Sequence, residues 1–92
     1  MQAKIWNHSG WIQETNPLRI RECFNELLRG SGFNVLQSLE HYFHPQGYTC
    51  LWLLSESHFA AHTFPELERT YIELSSCNLE YYQKFIELTK EL

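Results

Sequence analysis

Apolar positions along this chain recur with two different spacings, and the places where the spacing changes outline its elements. Ile20, Cys23, Phe24, Leu27 and Leu28 fall at helical spacing, so they share one stripe of a helix. Asn16 supplies a capping side chain and Pro17 is tolerated at the first helical position. Gly30 is expected to stop the run. Ahead of this helix, Lys4 to Ile12 reads as a first strand interrupted by Gly10. After it, Phe33 to His44 is strand-like, with Val35, Leu39 and Phe43 leaning one way, and Pro45-Gln46-Gly47 marks a turn. Tyr48 to Leu54 is nearly all apolar, the pattern of a central strand covered on both faces. His58 to Phe64 is the next strand, ended by Pro65, and Thr70 to Cys77 alternates Ile72 and Leu74 against Tyr71, Glu73, Ser75 and Cys77. Asn78 is placed to cap a last helix that turns Leu79, Tyr82, Phe85 and Ile86 inward, with Glu80 in its positive first turn.

The order is strand, helix, four strands, helix. Adjacent strands with only two helices predict an α+β fold, an antiparallel sheet with both helices packed on one face. The opposite face carries bulky side chains and needs a cover. A second sheet from another copy of the chain is the simplest one, giving an αββα sandwich in a homodimer.

Composition supports that expectation. Residues 1–92 make one domain, and a chain this short buries a modest share of its surface, yet 43% of it is hydrophobic and 15% aromatic. The net charge of -4, with no Lys/Arg cluster, argues against a nucleic-acid partner. No run of about 20 apolar residues exists to cross a membrane. The opening Met1-Gln2-Ala3-Lys4 does not lead into the apolar stretch of a signal peptide. Cys23, Cys50 and Cys77 are odd in number and widely spaced, which fits reduced thiols of a cytoplasmic protein.

The chemistry concentrates between Leu53 and Glu66. There Glu56-Ser57-His58 is followed by His62, Thr63, Phe64, Pro65 and Glu66, while Cys77 lies twenty residues past Ser57. Upstream, Phe43-His44-Pro45-Gln46-Gly47 forms an aromatic-x-Pro-Gln-Gly piece. This ordered set resembles the self-processing motif of the prokaryotic S-adenosylmethionine decarboxylases over roughly residues 17 to 90. The resemblance implies cleavage between Glu56 and Ser57 into a β chain, residues 1–56, and an α chain, residues 57–92. The former Ser57 becomes a pyruvoyl group, the cofactor of a decarboxylase that takes S-adenosylmethionine as small-molecule substrate and feeds polyamine synthesis.

Each residue suits its implied part. A serine hydroxyl is a weak nucleophile unless activated; on a tight turn, Ser57 Oγ can be held against the Glu56 carbonyl carbon, converting amide to ester. A base must then take the Cα proton of residue 57, and histidine, the side chain that ordinarily exchanges protons close to neutral pH, is the type suited to it, here His62. A thiol is a proton-bearing group that can return a proton to the substrate carbon, and the resemblance gives that part to Cys77. The resemblance also gives Ser55 a supporting part around the new group and makes Glu66 a candidate substrate contact.

Plainer readings stand beside these. Ser57 alone is a hairpin serine, His62 a strand histidine, and Cys77 a small buried hydrophobe; only their joint spacing raises them above that. Cys23 and Cys50 read as core. Among His41, His44, His58 and His62, the pair His58 and His62 shares a strand face, but at strand rise their Cα atoms lie about 13 Å apart, long for one ion, and no metal is expected. Trp6, Trp11 and Trp52 read mainly as packing, with Phe64 the candidate ring to stack on a ligand. Two stretches depart from the family pattern, Asn7 to Trp11 and Leu67 to Asn78. Both spare the processing residues, so self-cleavage is better supported than substrate identity. The alternatives are another amino acid, such as arginine or ornithine, or a non-catalytic paralogue serving as a binding or regulatory subunit.

Overall fold

The computed structural model describes residues 4–92; Met1 to Ala3, which open the stretch read for a signal peptide, lie outside the described residues. The chain runs β1 (Trp6–Ile12), α1 (Pro17–Gly30), β2 (Val35–Tyr42), β3 (Tyr48–Leu54), β4 (Ser57–Phe64), a short 3-10 turn (Pro65–Leu67), β5 (Arg69–Ser76) and α2 (Leu79–Thr89). The strands form one antiparallel sheet in the order β1-β5-β4-β3-β2. The α+β architecture anticipated from the chain is therefore the one found. No helix among the described residues is long and apolar enough to cross a membrane.

Both helices lie on the same face. Ile20, Phe24 and Leu28 of α1 and Phe85 of α2 are fully buried against Cys50, Trp52, Leu54, Phe59, Ala61, Ile72 and Leu74. Phe24 is the hub, its ring centroid 4.7 Å from Phe59, 6.3 Å from Trp52 and 6.4 Å from Phe85. Tilted, edge-on and stacked ring pairs of this kind add to the stabilisation from the area they bury. Asn16 and Asn78 act as the caps expected, accepting from the Arg19 and Tyr81 amides at 3.1 and 2.9 Å.

Several local expectations are corrected. Gly30 is the last helical residue of α1, as expected, but the left-handed step falls at Gly32, φ 110°, with Ser31 between them. A Cβ at Gly32 would stand 2.6 Å from the Tyr81 ring, so α2 also requires glycine there. In β2 the register slips between Val35 and Gln37. Val35 thus packs on the core, while Leu39 projects from the other face at 69% exposure. An extra residue in one strand reverses the side-chain alternation. β3 is not covered twice within this chain: Tyr48, Cys50, Trp52 and Leu54 are buried, but Leu51 and Leu53 are exposed. In α2, Leu79 faces water, and Tyr81 takes the inward place instead, edge-on to Phe33 at 5.4 Å. Cys23 is only half-buried, on the margin of the core rather than inside it.

On the helix-bearing side, Tyr48 and Arg21 both donate to Glu40, Arg21 at 2.9 Å, joining α1 to the β2–β3 pair. The Tyr48 hydroxyl, and then Arg21, hold the Glu40 carboxyl below the usual carboxylate range. Burial first, and Glu40 second, push the Tyr48 hydroxyl up, so it remains a donor.

Candidate functional site

The β3–β4 hairpin turns in two residues. Leu54 pairs with Ser57, which leaves Ser55 and Glu56 as the loop. Glu56 sits at φ 61°, a left-handed conformation that costs a residue with a Cβ about 1–2 kcal/mol. The tight reversal imposes it, and the strained residue contributes its carbonyl to the Glu56–Ser57 peptide. Ser55 steadies the loop: its amide donates to the Asn34 carbonyl at 3.2 Å, and its hydroxyl accepts from Asn34 Nδ2 at 3.4 Å.

Two residues of the β5 end close around this turn. The Cys77 thiol donates to the Glu56 carbonyl oxygen, with Sγ 3.0 Å away, and Sγ lies 3.7 Å from Glu56 Oε2. Ser57, buried, donates through Oγ to Ser76 Oγ at 3.1 Å. Ser76 in turn donates to the Asn78 carbonyl at 3.2 Å and accepts from the Asn78 amide at 3.0 Å. A strained peptide thus has its carbonyl oxygen met by a thiol donor and the adjoining hydroxyl held by a buried acceptor. Chemically, that arrangement polarises a carbonyl beside a fixed nucleophile.

The structure brings Glu56, Ser57 and Cys77 together, with Ser55 beside them. It does not bring His62 to them within one chain. Ser57 faces the helices, whereas His62 is half-buried, five residues on, and projects from the opposite face. At strand rise the two Cα atoms are about 17 Å apart. There His62 Nδ1 lies 2.9 Å from Thr49 Oγ1, and its ring stacks toward Tyr71 with centroids 6.4 Å apart. Glu66, on the 3-10 turn, is likewise away from Ser57; its carboxylate accepts from Gln46 Nε2 at 3.0 Å, tying the Pro65-Glu66 and Pro45-Gln46-Gly47 pieces together.

Phe64 lies 5.7 Å from Trp11, and the Arg69 guanidinium sits 4.0 Å above the Trp11 ring. Trp11 is therefore an exposed platform on the open face as well as a packing residue. Among the described residues no three His, Cys, Asp or Glu side chains gather as an ion site. Burial pushes the Cys50 thiol up to about 11 and raises Cys23 as well, which leaves both as poor nucleophiles at neutral pH.

Two functional residues escaped the sequence reading. Ser76 shares the core-facing side of β5 with Ile72 and Leu74, and a serine at such a position requires a polar partner. That was the available signal. Thr49, the partner of His62, becomes visible only once the β3–β4 register is known.

The family model for S-adenosylmethionine decarboxylase matches residues 13–92. An S-adenosylmethionine decarboxylase proenzyme of Clostridium botulinum (strain Hall) is 33% identical over 66 residues, 72% of this chain and 57% of its own length. One from Persephonella marina is 36% identical over 58 residues, 63% of this chain and 44% of its own. The chain thus spans about half the length of the curated relatives it matches. The crystal structure of the adenosylmethionine decarboxylase from Aquifex aeolicus superposes with a TM-score of 0.75 at 17% identity, covering 95% of this chain and 78% of that one; at this identity the likeness concerns the fold. With the match running from residue 13 to the last residue, the chain belongs to the S-adenosylmethionine decarboxylase family.

Proposed function

We propose that this chain is a self-cleaving proenzyme that breaks its Glu56–Ser57 bond and then decarboxylates S-adenosylmethionine. The observation that carries the reading is the contact of Cys77 Sγ with the Glu56 carbonyl oxygen, 3.0 Å, in a turn where Glu56 is strained and the next hydroxyl is Ser57. The proenzyme names of the relatives point the same way.

In the first step Ser57 Oγ bonds to the Glu56 carbonyl carbon, the C–N bond opens, and the hydroxyl proton ends on the freed amine. Negative charge gathers on the Glu56 oxygen as this happens, where the Cys77 thiol donates. Removal of the Cα proton of residue 57 then expels the Glu56 carboxylate. The dehydroalanine left behind hydrolyses, releasing ammonia and leaving a pyruvoyl group at the start of residues 57–92. The residues present fit such a group: its precursor is buried at a strand start, with a thiol against the bond that must open. When formed, it supplies a keto carbonyl that takes up the electrons released as carbon dioxide leaves. Cys77, beside that position, is the residue that returns a proton to the substrate carbon.

The base is His62, as the resemblance implies, and it comes from a second copy. The open face carries Leu39, Leu51 and Leu53 at 69%, 44% and 51% exposure, an apolar surface that a homodimer would cover. Packing two open faces together puts the His62 of one copy on the surface that meets the other copy's sheet. Such a dimer is the αββα sandwich.

The test is a Ser57→Ala variant beside the unaltered chain, followed on a denaturing gel and by carbon dioxide release from carboxyl-labelled S-adenosylmethionine. The unaltered chain splits and releases label, and Ser57→Ala does neither. An unaltered chain that splits but releases label only from arginine or ornithine overturns the substrate assignment. One that never splits overturns the proposal.

A further inference from the structure

We propose that Ser76 is the positioning residue for self-cleavage, holding the Ser57 hydroxyl so that its oxygen faces the Glu56 carbonyl carbon. The inference rests on the cleavage reading above and assigns a part to a residue outside the expected Ser57, His62 and Cys77 set. Ser57 Oγ donates to Ser76 Oγ at 3.1 Å, and Ser76 is 1% exposed, so no water competes for that bond. Ser57 and Ser76 are also directly paired across β4 and β5, which fixes their separation through the backbone.

Ser76 itself has little freedom. It donates to the carbonyl of Asn78 and accepts from that residue's amide, and Asn78 is the cap of α2. With its own proton committed to the Asn78 carbonyl, Ser76 Oγ presents lone pairs, not a proton, to Ser57. The Ser57 O–H therefore points toward Ser76, and the lone pairs of Ser57 Oγ are left free for attack. A hydroxyl rotates freely unless a partner fixes it, and orientation of this kind is worth large factors in rate. The same α2 cap directly follows Cys77, so one helix start sets both the nucleophile's acceptor and the carbonyl's donor.

The step remains balanced without a further reactant. The Oγ–C bond forms, the C–N bond breaks, and the hydroxyl proton, held at Ser76 in the resting precursor, finishes on the new amine. After cleavage the Ser57 hydroxyl no longer exists, and its bond to Ser76 goes with it, so the positioning part of Ser76 is confined to the precursor.

The experiment follows conversion of freshly made precursor into fragments for the unaltered chain and for Ser76→Ala, Ser76→Thr and Ser76→Val. Threonine and valine have nearly the same shape and differ in the hydroxyl, so that pair remains decisive if the alanine variant unfolds. Ser76→Ala and Ser76→Val slow conversion on the order of tenfold to a hundredfold, and Ser76→Thr runs near the unaltered rate. A rate that threonine keeps and valine loses is the rescue that a merely structural role for Ser76 would not give. Valine and threonine variants that convert equally fast, or equally slowly with unaltered melting temperatures, overturn the assignment of Ser76 and leave the cleavage reading standing. An unaltered chain that does not convert removes both.

Discussion

In the proposed cleavage Glu56, Ser57, Ser76 and Cys77 divide the work: Glu56 holds the strain, Ser57 is the nucleophile, Ser76 its acceptor, and Cys77 the donor to the carbonyl. Removing one donor from a site of developing negative charge costs about 10²–10³ in rate. A thiol is a weaker donor than an amide, so Cys77→Ala is expected to slow conversion on the order of tenfold to a hundredfold, read as the half-time of fragment appearance. Conversion of Cys77→Ala at the unaltered rate would remove the thiol from the cleavage step. The family resemblance of an ordered motif singled out Ser57 and Cys77, which the fold places together at the β3–β4 turn. It could not disclose Ser76, whose value depends on a cross-strand partner nineteen positions away. It also set His62 beside Ser57 in sequence, although strand rise and face alternation separate them in space.

Among the elements, the helices were the most legible and the strand edges the least. Asn16 and Asn78 announce helix starts by side-chain chemistry that is purely local. The end of α1 at Gly30 was legible, but the left-handed step falls two residues on, at Gly32, where Tyr81 of the other helix leaves no room for a Cβ. Gly32→Ala forces both a clash and an unfavourable φ, and a loss of about 1–3 kcal/mol is expected. That lowers the melting temperature by about 4–8 °C per kcal/mol in a domain of this size; a variant melting with the unaltered chain would show that Tyr81 yields without cost. The bulge in β2 left no mark in composition, so Val35 and Leu39 were read onto one face although they lie on two.

The Glu40 cluster joins α1 to that same sheet edge and makes a pH-dependent contribution. Glu40 has a folded-state pKa below its unfolded value, through Tyr48 and then Arg21, so its stabilising part is complete above about pH 4.3. It is lost as pH falls below that value and through the lowered one. The melting temperature of Glu40→Gln should therefore fall less steeply than that of the unaltered chain over this acid range. Parallel curves would contradict the assignment.

On the scale of the whole molecule, one sheet face is filled by two helices and the other is left open with leucines, His62, Tyr71 and Trp11 on it. Composition pointed to a shared face, since the aromatic and aliphatic content exceeds what two helices can cover. A Leu51→Glu change places a charge in the middle of that face, and light scattering is expected to show monomer where the unaltered chain gives dimer. A monomeric unaltered chain would leave the leucines without their proposed cover. The arrangement of His62 makes a sharper demand. Ser57→Ala cannot be cut, and His62→Ala lacks the base, yet mixed dimers should cut the His62→Ala chain with the histidine of its Ser57→Ala companion. Mixed dimers in which neither chain is cut would mean that His62 does not act across the dimer.

Every catalytic statement depends on the Glu56–Ser57 bond opening by the chain's own chemistry, and the intact mass of the purified protein measures that directly. Two species are expected, residues 1–56 with an ordinary carboxylate end and residues 57–92 beginning in a ketone that borohydride reduces. A single mass equal to the full chain, unmoved by borohydride after prolonged incubation at neutral pH, would contradict it.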